Sequence, residues 1–559
     1  MQSCSKISET DVVIIGGGAT GAGLSRDCAR RGLRCVLFER RDFSSGATGR
    51  NHGLLHSGAR YAVTDGESAR ECIEENAILK QIACHCIEDS GGLFVTLPED
   101  DLAYQRALVQ ACSEAGVPVE VLDPAEARRL EPSVNPNIIG AVRVPDGVVD
   151  PFRLTVANIL DAAAHGAQCY TYHEVTDILQ ESGKVIGVRA RDSLTGESLE
   201  VRASIVVNAA GIWGQPVAAL AGVTVRMFPT RGALLILGHR INNMVINRCR
   251  KPADADILVP GDTVCLIGTT SVPISFDELD DMRVTTGETD LLIREGSLLA
   301  PSLATTRKLR VYAGARPLVA ADEDPTGRSI SRKIVLLDHE KRDGLKGFVT
   351  ISGGKLITYR RMAEMATDLI CAKLGVSAEC DTATAPLPGS GESREETLSK
   401  VLRLPVTLRR SVVHRHGDMA ARLADGDALD TSLVCECESV TVGEVRHAMQ
   451  SLVVRNITDL RRRTRMGMGP CQGELCACRA AGLLVRNGVT QPQDAKTQLA
   501  RFLEERWKGV RPLAWGDSLR ESEFTMWLYQ SVCGLRQVPE PGGETRVAPA
   551  KKEESGDAL

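Results

Sequence analysis

"DVVIIGGGATGAGLSRDCARRGLRCVLFER" (Asp11–Arg40) decides the fold. Val12–Ile15 is a short β-branched run, the composition of a strand buried in a parallel sheet. Gly16, Gly18 and Gly21 follow in G-x-G-x-x-G spacing, Ala22–Arg31 reads as a helix, Gly32 ends it, and Cys35–Phe38 forms a second strand with Glu39 after it. Each position has a physical duty. Gly16 makes the tight turn, Gly18 lets backbone approach a pyrophosphate at the helix N-terminus, Gly21 lets helix and strand pack closely, and Glu39 can accept hydrogen bonds from a ribose. A lone G-x-G-x-x-G is a weak signal and could be a turn that binds nothing. Here strand, turn, helix, strand and acid are in one register, which implies an α/β, Rossmann-type dinucleotide-binding unit.

That unit must be one of three or four, since 559 residues exceed what a single core holds. At 43% hydrophobic and 25% charged, with net charge −5, the composition is ordinary globular and favours neither nucleic acid nor anionic lipid as a partner. The N-terminal "MQSCSKISETDVVIIGGG" lacks the pattern of a signal peptide, and no stretch reaches the roughly 20 apolar residues that span a bilayer. A cytoplasmic chain that meets a membrane through partners is expected. Most of the 18 cysteines, such as Cys28, Cys169 and Cys371, stand singly in apolar segments and read as small reduced core residues. The dense cysteines near the C-terminus read instead as metal or redox chemistry.

Three later stretches suit close approach of the same cofactor. Arg40–Tyr61, "RRDFSSGATGRNHGLLHSGARY", is a Ser-, Thr-, Gly- and Arg-rich wrapping loop with Arg40, Thr48 and His56 as candidate contacts. "VVNAAGIWG" (Val206–Gly214) is a strand ending in small residues, Gly211 among them. "FVTISGGKLITYRRMAEMATDLI" (Phe348–Ile370) is a strand, a turn at Gly353–Gly354, then Leu356 and a helix from about Thr358. No second complete G-x-G-x-x-G occurs, so one dinucleotide site is expected.

The segments "GGGATGAG", "LLHSGARY", "VVNAAGIW", "AGARPLV" and "SGGKLITYR", in this order over roughly Asp11–Pro388, resemble the FAD-dependent sn-glycerol-3-phosphate dehydrogenases of the D-amino-acid-oxidase-like superfamily. The resemblance implies FAD, a discontinuous FAD domain over 1–388, and a β-rich substrate domain inserted at roughly 76–143 and 228–337. It also implies a substrate with a phosphate dianion and a secondary alcohol. Cations at matching positions are Arg60, Arg316, Arg332 and Lys355, and arginine suits phosphate because its fork pairs two oxygens. Taken singly, any of these is more often a solvated surface charge. Arg316 and Lys355 sit at strand ends where solvated charges are less expected, and they are the candidate catalytic groups. His56 is a candidate base, though a flavin contact suits it as well. Some aerobic relatives carry a His shortly after the glycine matching Gly232; "TRGALLIL" has none, so the base stays unassigned.

In the C-terminal third, 389–400 ("SGESREET" within it) reads as a linker and 401–430 as a helical connector in which Pro405 breaks or starts a helix. Then come Cys435-x-Cys437 and Cys471-x4-Cys476, with Cys478 in reserve, joined by a helix that Thr441 and Glu444 can cap. Zinc takes four thiolates too, but usually spaces each pair by two to four residues; a [2Fe–2S] cluster also takes four, and reduced core thiols are a third reading. "CECESVT…MGMGPCQGELC" resembles the bacterioferritin-associated-ferredoxin-like [2Fe–2S] domain, here 431–485, which implies Cys435, Cys437, Cys471 and Cys476 as ligands. Arg461, Arg462, Arg463 and Arg465 would favour so negative a cluster, or form a solvated or phosphate-binding face. Flavin plus cluster suggests a one-electron relay. Together the two resemblances point to the anaerobic type of glycerol-3-phosphate dehydrogenase. Its catalytic subunit works with two others, one flavoprotein-like and one a membrane-bound iron–sulfur protein that feeds menaquinone. A flavin oxidase of another substrate, or a non-enzymatic electron-transfer module, is the rival. Within 486–536, Phe524, Trp527, Leu528 and Val532 share a helical face that packs on the chain's own core or meets a partner; 537–559 reads as a disordered tail.

Overall fold

In the computed structural model of the chain, which describes residues 9–319 and 333–535, β1 (Glu9–Ile15), α1 (Ala19–Arg30) and β2 (Cys35–Glu39) form the strand–turn–helix–strand unit. β1 and β2 pair in parallel, Val12 opposite Cys35 and Ile15 opposite Phe38. Val12 and Ile14 face one core and Val13 and Ile15 another, which is why the strand reads as an unbroken apolar run. The helix begins at Ala19, three residues before the expected Ala22, with Gly18 as its N-cap. Gly16 holds φ +114°, and a Cβ on Gly21 would overlap the Gly16 carbonyl oxygen, so both positions admit glycine alone.

β3 (Ser198–Asn208) lies parallel to β1 on its other side. The first half of β3 pairs antiparallel with Lys184–Asp192, and its last residues pair in parallel with Phe348–Gly353. A second, nine-stranded sheet takes Gly92–Thr96, Glu120–Leu122 and Gly140–Val144 from one part of the chain and β4 (Met227–Leu237) through β5 (Lys308–Val319) from another. The two parts join where Val245–Arg248 pairs in parallel with Gly92–Thr96.

The structure moves the first and the last of the four expected insert boundaries. Asn76 lies on the helix Gly66–Ile82, whose Cys72, Leu79 and Ile82 pack with Ala19, Leu154 and Tyr359 of the nucleotide half. Ile334–Asp338, expected at the end of the insert, pairs with Phe348–Gly353 in the nucleotide sheet. The expected linker 389–400 is partly helical: Ser393 and Glu396 form a capping box on Arg394–Lys400. Pro405 starts a helix, as the N-cap of Val406–His416.

The cysteine-bearing unit has its own core, built around Val434, Val445, Leu460, Ala480, Leu484 and Leu503. It contains the hairpin Leu433–Cys435/Val440–Thr441 and the Thr441–Glu444-capped helix Val442–Ser451. It also contains α2 (Ile457–Thr464), Ala477–Arg486 and α3 (Ala495–Val510). Phe524, Trp527, Leu528 and Val532 do not pack on the chain's own core; all four are exposed. The tail 537–559 lies outside the described residues.

Three arginines of the run, Arg462, Arg463 and Arg465, are engaged in ion pairs and do not form a solvated face. Arg462 and Arg463 both bind Asp42, in the loop just after β2, and Asp42 is fully buried. Beside them Tyr172 donates to Asp459 at 2.7 Å and accepts from Asn456 at 2.6 Å. Arg465 pairs with Asp150 at 2.9 Å, Asp262 at 2.7 Å and Glu438 at 3.1 Å. These contacts dock the cysteine unit on the nucleotide domain. Burial raises the Asp42 carboxyl, but Arg463 and Arg462 outweigh it and hold it below the usual carboxylate range.

Asp42→Ala leaves two buried guanidiniums without their carboxylate, at a cost of about 3–5 kcal/mol. Hydrogen exchange across Ile457–Thr464 should quicken accordingly. Because the folded value is depressed, the Asp42 contribution is complete above the unfolded carboxyl value of about 4 and is lost as pH falls through the folded value. Acid undocking below about pH 4 should therefore be present in the native chain and blunted in the variant.

Candidate active site and cluster site

One cavity of about 1030 Å³ runs from the fingerprint turn to the edge of the second sheet. At one end are Gly16 and Gly18, Glu39, Arg40 and Thr48; at the other are Arg60, Arg316 and Lys355, with His56, Gly211, Gly353, Gly354 and Leu356 between or beside them. The Glu39 carboxylate accepts from the N–H groups of Gly17 at 2.7 Å and Arg41 at 2.8 Å, so it first fixes the turn. A carboxylate has about four acceptor positions, which leaves capacity for a ribose hydroxyl. Burial nonetheless pushes Glu39 above its ordinary value. Thr48 accepts from the Ala19 N–H at 3.0 Å, taking one of the unpaired donors of the first turn of α1. Arg40 lies over the Trp213 ring and pairs with Asp280. The left-handed turn at Gly353 and Gly354 (φ +77° and +63°) swings Lys355 into the cavity; a Cβ on Gly353 would overlap the Lys333 carbonyl.

Arg316 extends from β5 and donates to Thr269 Oγ1 at 2.7 Å and the Thr270 carbonyl at 2.8 Å. Gly232 on β4 lies beneath it, and a Cβ there would come within 2.8 Å of the guanidinium. The Lys355 ammonium lies 4.7 Å from the centre of the Tyr61 ring, buried, with no hydrogen-bond partner among the described residues. Tyr61 also packs against His56, 5.4 Å between ring centres. Arg60 lines the same wall, but one arm is held by buried Asp256 at 3.3 Å. Arg332 lies outside the described residues. Tyr61, His52 and Asp254 line the cavity and were not singled out from sequence. His52, four residues before His56 in the wrapping loop, carried a signal; Asp254 comes from a loop of the second sheet and carried none.

The four expected cysteines come together as two pairs. Cys476 donates to Cys435, which draws Cys435 down to about 6 and pushes Cys476 up; Cys435 also accepts from the Gly467 and Glu438 N–H groups. Cys437 lies against Cys471, and burial pushes it up to about 11. Cys478 lies apart, against Cys533 and Tyr529. Among the described residues no three Cys, His, Asp or Glu side chains converge as on a single ion. Two thiol pairs with backbone N–H donors aimed at sulfur fit a binuclear cluster. Glycine at 469 permits this approach, since a Cβ there would lie 2.6 Å from the Cys437 Cβ.

Comparison with known proteins agrees. The FAD dependent oxidoreductase family matches residues 11–360, and the BFD-like [2Fe-2S] binding domain matches 433–486. The chain is 63% identical over 528 residues to the A subunit of the anaerobic glycerol-3-phosphate dehydrogenase of Escherichia coli (strain K12), covering 94% of this chain and 97% of that one. It is 43% identical to the A1 subunit of the anaerobic glycerol-3-phosphate dehydrogenase of Haloferax volcanii, covering 94% and 91%. The fold is shared with a glycerol-3-phosphate dehydrogenase from Bacillus halodurans complexed with FAD, at TM-score 0.69 and 22% identity over 90% of this chain and 96% of that one. FAD and a [2Fe–2S] cluster are thus the cofactors.

Gly18→Val should abolish FAD binding, because a Cβ at Gly18 already lies 3.0 Å from Thr48 Oγ1 and branching would fill the pyrophosphate approach; flavin released on denaturation measures it. Serine at Cys435 or Cys471 should remove the cluster's visible absorption and labile sulfide while the flavin stays bound. The chain belongs to the FAD-dependent oxidoreductase family and, within it, to the family of anaerobic glycerol-3-phosphate dehydrogenase A subunits.

Proposed function

We propose that the chain oxidises sn-glycerol 3-phosphate to dihydroxyacetone phosphate in the cavity between the two sheets, and that electrons leave through the [2Fe–2S] domain toward partner subunits and a quinone. The observation that carries this reading is the placement of Arg316 and Lys355 in the cavity whose far end is the dinucleotide turn. Bound FAD supplies the hydride acceptor for the substrate's C2 hydrogen. The chain's own residues hold the anion and manage the proton. Arg316, its orientation set by Thr269 and Thr270, offers its fork to phosphate oxygens. Arg60, whose Nη1 has no hydrogen-bond partner among the described residues, adds a second charge on the same wall. Lys355, desolvated over Tyr61, favours the charge that develops on the C2 oxygen. His56, in the same cavity with its ring 5.4 Å from that of Tyr61, is the candidate to take the hydroxyl proton. An amino-acid substrate would require a single carboxylate clamp; several cations on one wall favour phosphate.

The relatives are named as one lettered subunit of an enzyme, which supports an assembly with other subunits. Among the described residues no helix is long and apolar enough to cross a membrane, so contact with a membrane quinone would run through those other subunits. Cys435, Cys437, Cys471 and Cys476 are the cluster ligands of this proposal. The test is steady-state kinetics of Arg316→Ala. Losing one charged contact to a buried anion costs about 1.5–3 kcal/mol, so kcat/KM for glycerol 3-phosphate should fall roughly tenfold to more than a hundredfold. Unchanged kinetics, or glycerol serving equally well, would remove the phosphate clamp.

A further inference from the structure

A second cavity, of about 410 Å³, lies where the wrapping loop, β5, α2 and α3 meet. Arg50, Arg310, Arg461 and Arg506 reach it from those four elements in turn. The other cations on its wall are balanced: Arg462 by Asp42, Arg465 by Asp150 and Asp262, Lys508 by Asp281. These four are not. Arg50 donates to the Ser45 carbonyl at 3.1 Å, Arg310 to Gln472 Oε1 at 2.7 Å and Arg506 to the Gln472 carbonyl, all uncharged acceptors. Among the described residues none of Arg50, Arg310 and Arg461 has a carboxylate at ion-pair distance. Arg506 is 7% exposed, its Nε has no hydrogen-bond partner, and its nearest carboxylate, Glu474, is 3.8 Å away. Two carboxylates on the wall face them: Glu505, toward Arg50 and Arg310, is solvent-exposed, and Asp280, toward Arg50, is already paired with Arg40.

Burial and the neighbouring Arg310, Arg462 and Arg506 push Arg461 well below the usual arginine range, and burial with Arg310 draws Arg506 down to about 9. Guanidiniums keep their proton at neutral pH, so these are charges held out of water first and set against one another second. Such an arrangement is costly unless an anion enters it. The rest of the wall includes Tyr312, Met468 and Phe502, and the volume falls within the range of organic-ligand pockets.

We infer that this cavity binds a small organic phosphate, a phosphate monoester whose dianion sits among Arg50, Arg310, Arg461 and Arg506 and whose apolar body rests on Tyr312, Met468 and Phe502. The site is separate from the substrate wall at Arg316 and Lys355, and it lies on the side of the wrapping loop nearest the cysteine unit.

The probe is phenyl phosphate, titrated calorimetrically into the full chain carrying both cofactors. Binding should weaken roughly tenfold or more in Arg461→Gln and in Arg310→Gln. Turnover of glycerol 3-phosphate with a dye that accepts electrons from the flavin should stay unchanged. Without the probe, Arg461→Gln should unfold at the same or a higher temperature, since it relieves repulsion, and the probe should raise its Tm less than it raises that of the native chain. Arg461→Lys, which keeps the charge and loses the fork, should fall between. Absence of binding to the native chain, or binding that both variants leave intact, would overturn the proposal. So would variants that lower the cluster's midpoint potential and leave phenyl phosphate binding untouched, for the arginines would then serve the cluster alone.

Discussion

Asp42 is a carboxylate with no exposure, three residues past the acid that ends the dinucleotide motif, and it holds two arginines of another domain. An isolated buried charge is too costly to persist; paired with Arg462 and Arg463 it becomes a fixed joint. The backbone that carries it is itself fixed, because Glu39 accepts from Gly17 of the fingerprint turn and from Arg41 at the start of the loop. The turn that meets the pyrophosphate, the acid suited to the ribose and the joint to the cysteine unit therefore share one short segment. A shift of that segment would be felt by both redox sites at once.

The second sheet serves the first in a comparable way. β4 and β5 pair so that Gly232 lies opposite Gly314. Missing side chains at both places leave room for Arg316 above one and for the Arg50 backbone against the other. The wall that carries Arg316 and the wrapping loop thus close on each other through glycines, and a cation reaches the cavity without displacing a core side chain.

Local chemistry was legible in the sequence. The fingerprint glycines, the Gly353–Gly354 turn and the Thr441–Glu444 box depend on a few neighbouring residues, and the structure forms each of them. The cysteine spacing singled out the four thiols, but the fold pairs them across the two motifs, Cys435 with Cys476 and Cys437 with Cys471, and assigning a cluster needed the family resemblance. What sequence could not give was pairing over distance. "IVLLD" at 334–338 suits either sheet, and its partner decides. Asp256 lies far along the chain from Arg60, so the half-committed state of that arginine had no local sign. The arginine run looked alike at every position, yet Arg462 and Arg463 are joint residues and Arg461 faces a cavity. The Ser393–Glu396 box is local as well, but it lies in a stretch whose polar composition reads as a linker.

The discontinuity of the nucleotide sheet has a consequence for synthesis on the ribosome. β1 and β2 emerge early, but β3 gains the neighbour along its last residues only when Phe348–Gly353 has been made, after the whole second sheet. Contacts so distant in sequence are slow to form because the intervening chain must first be ordered. The dinucleotide half therefore cannot mature ahead of the insert, and a nascent chain stopped before Phe348 would present an open parallel edge on β3. Vectorial folding, first domain first, is closed to this architecture; the cysteine unit alone is contiguous enough to follow it.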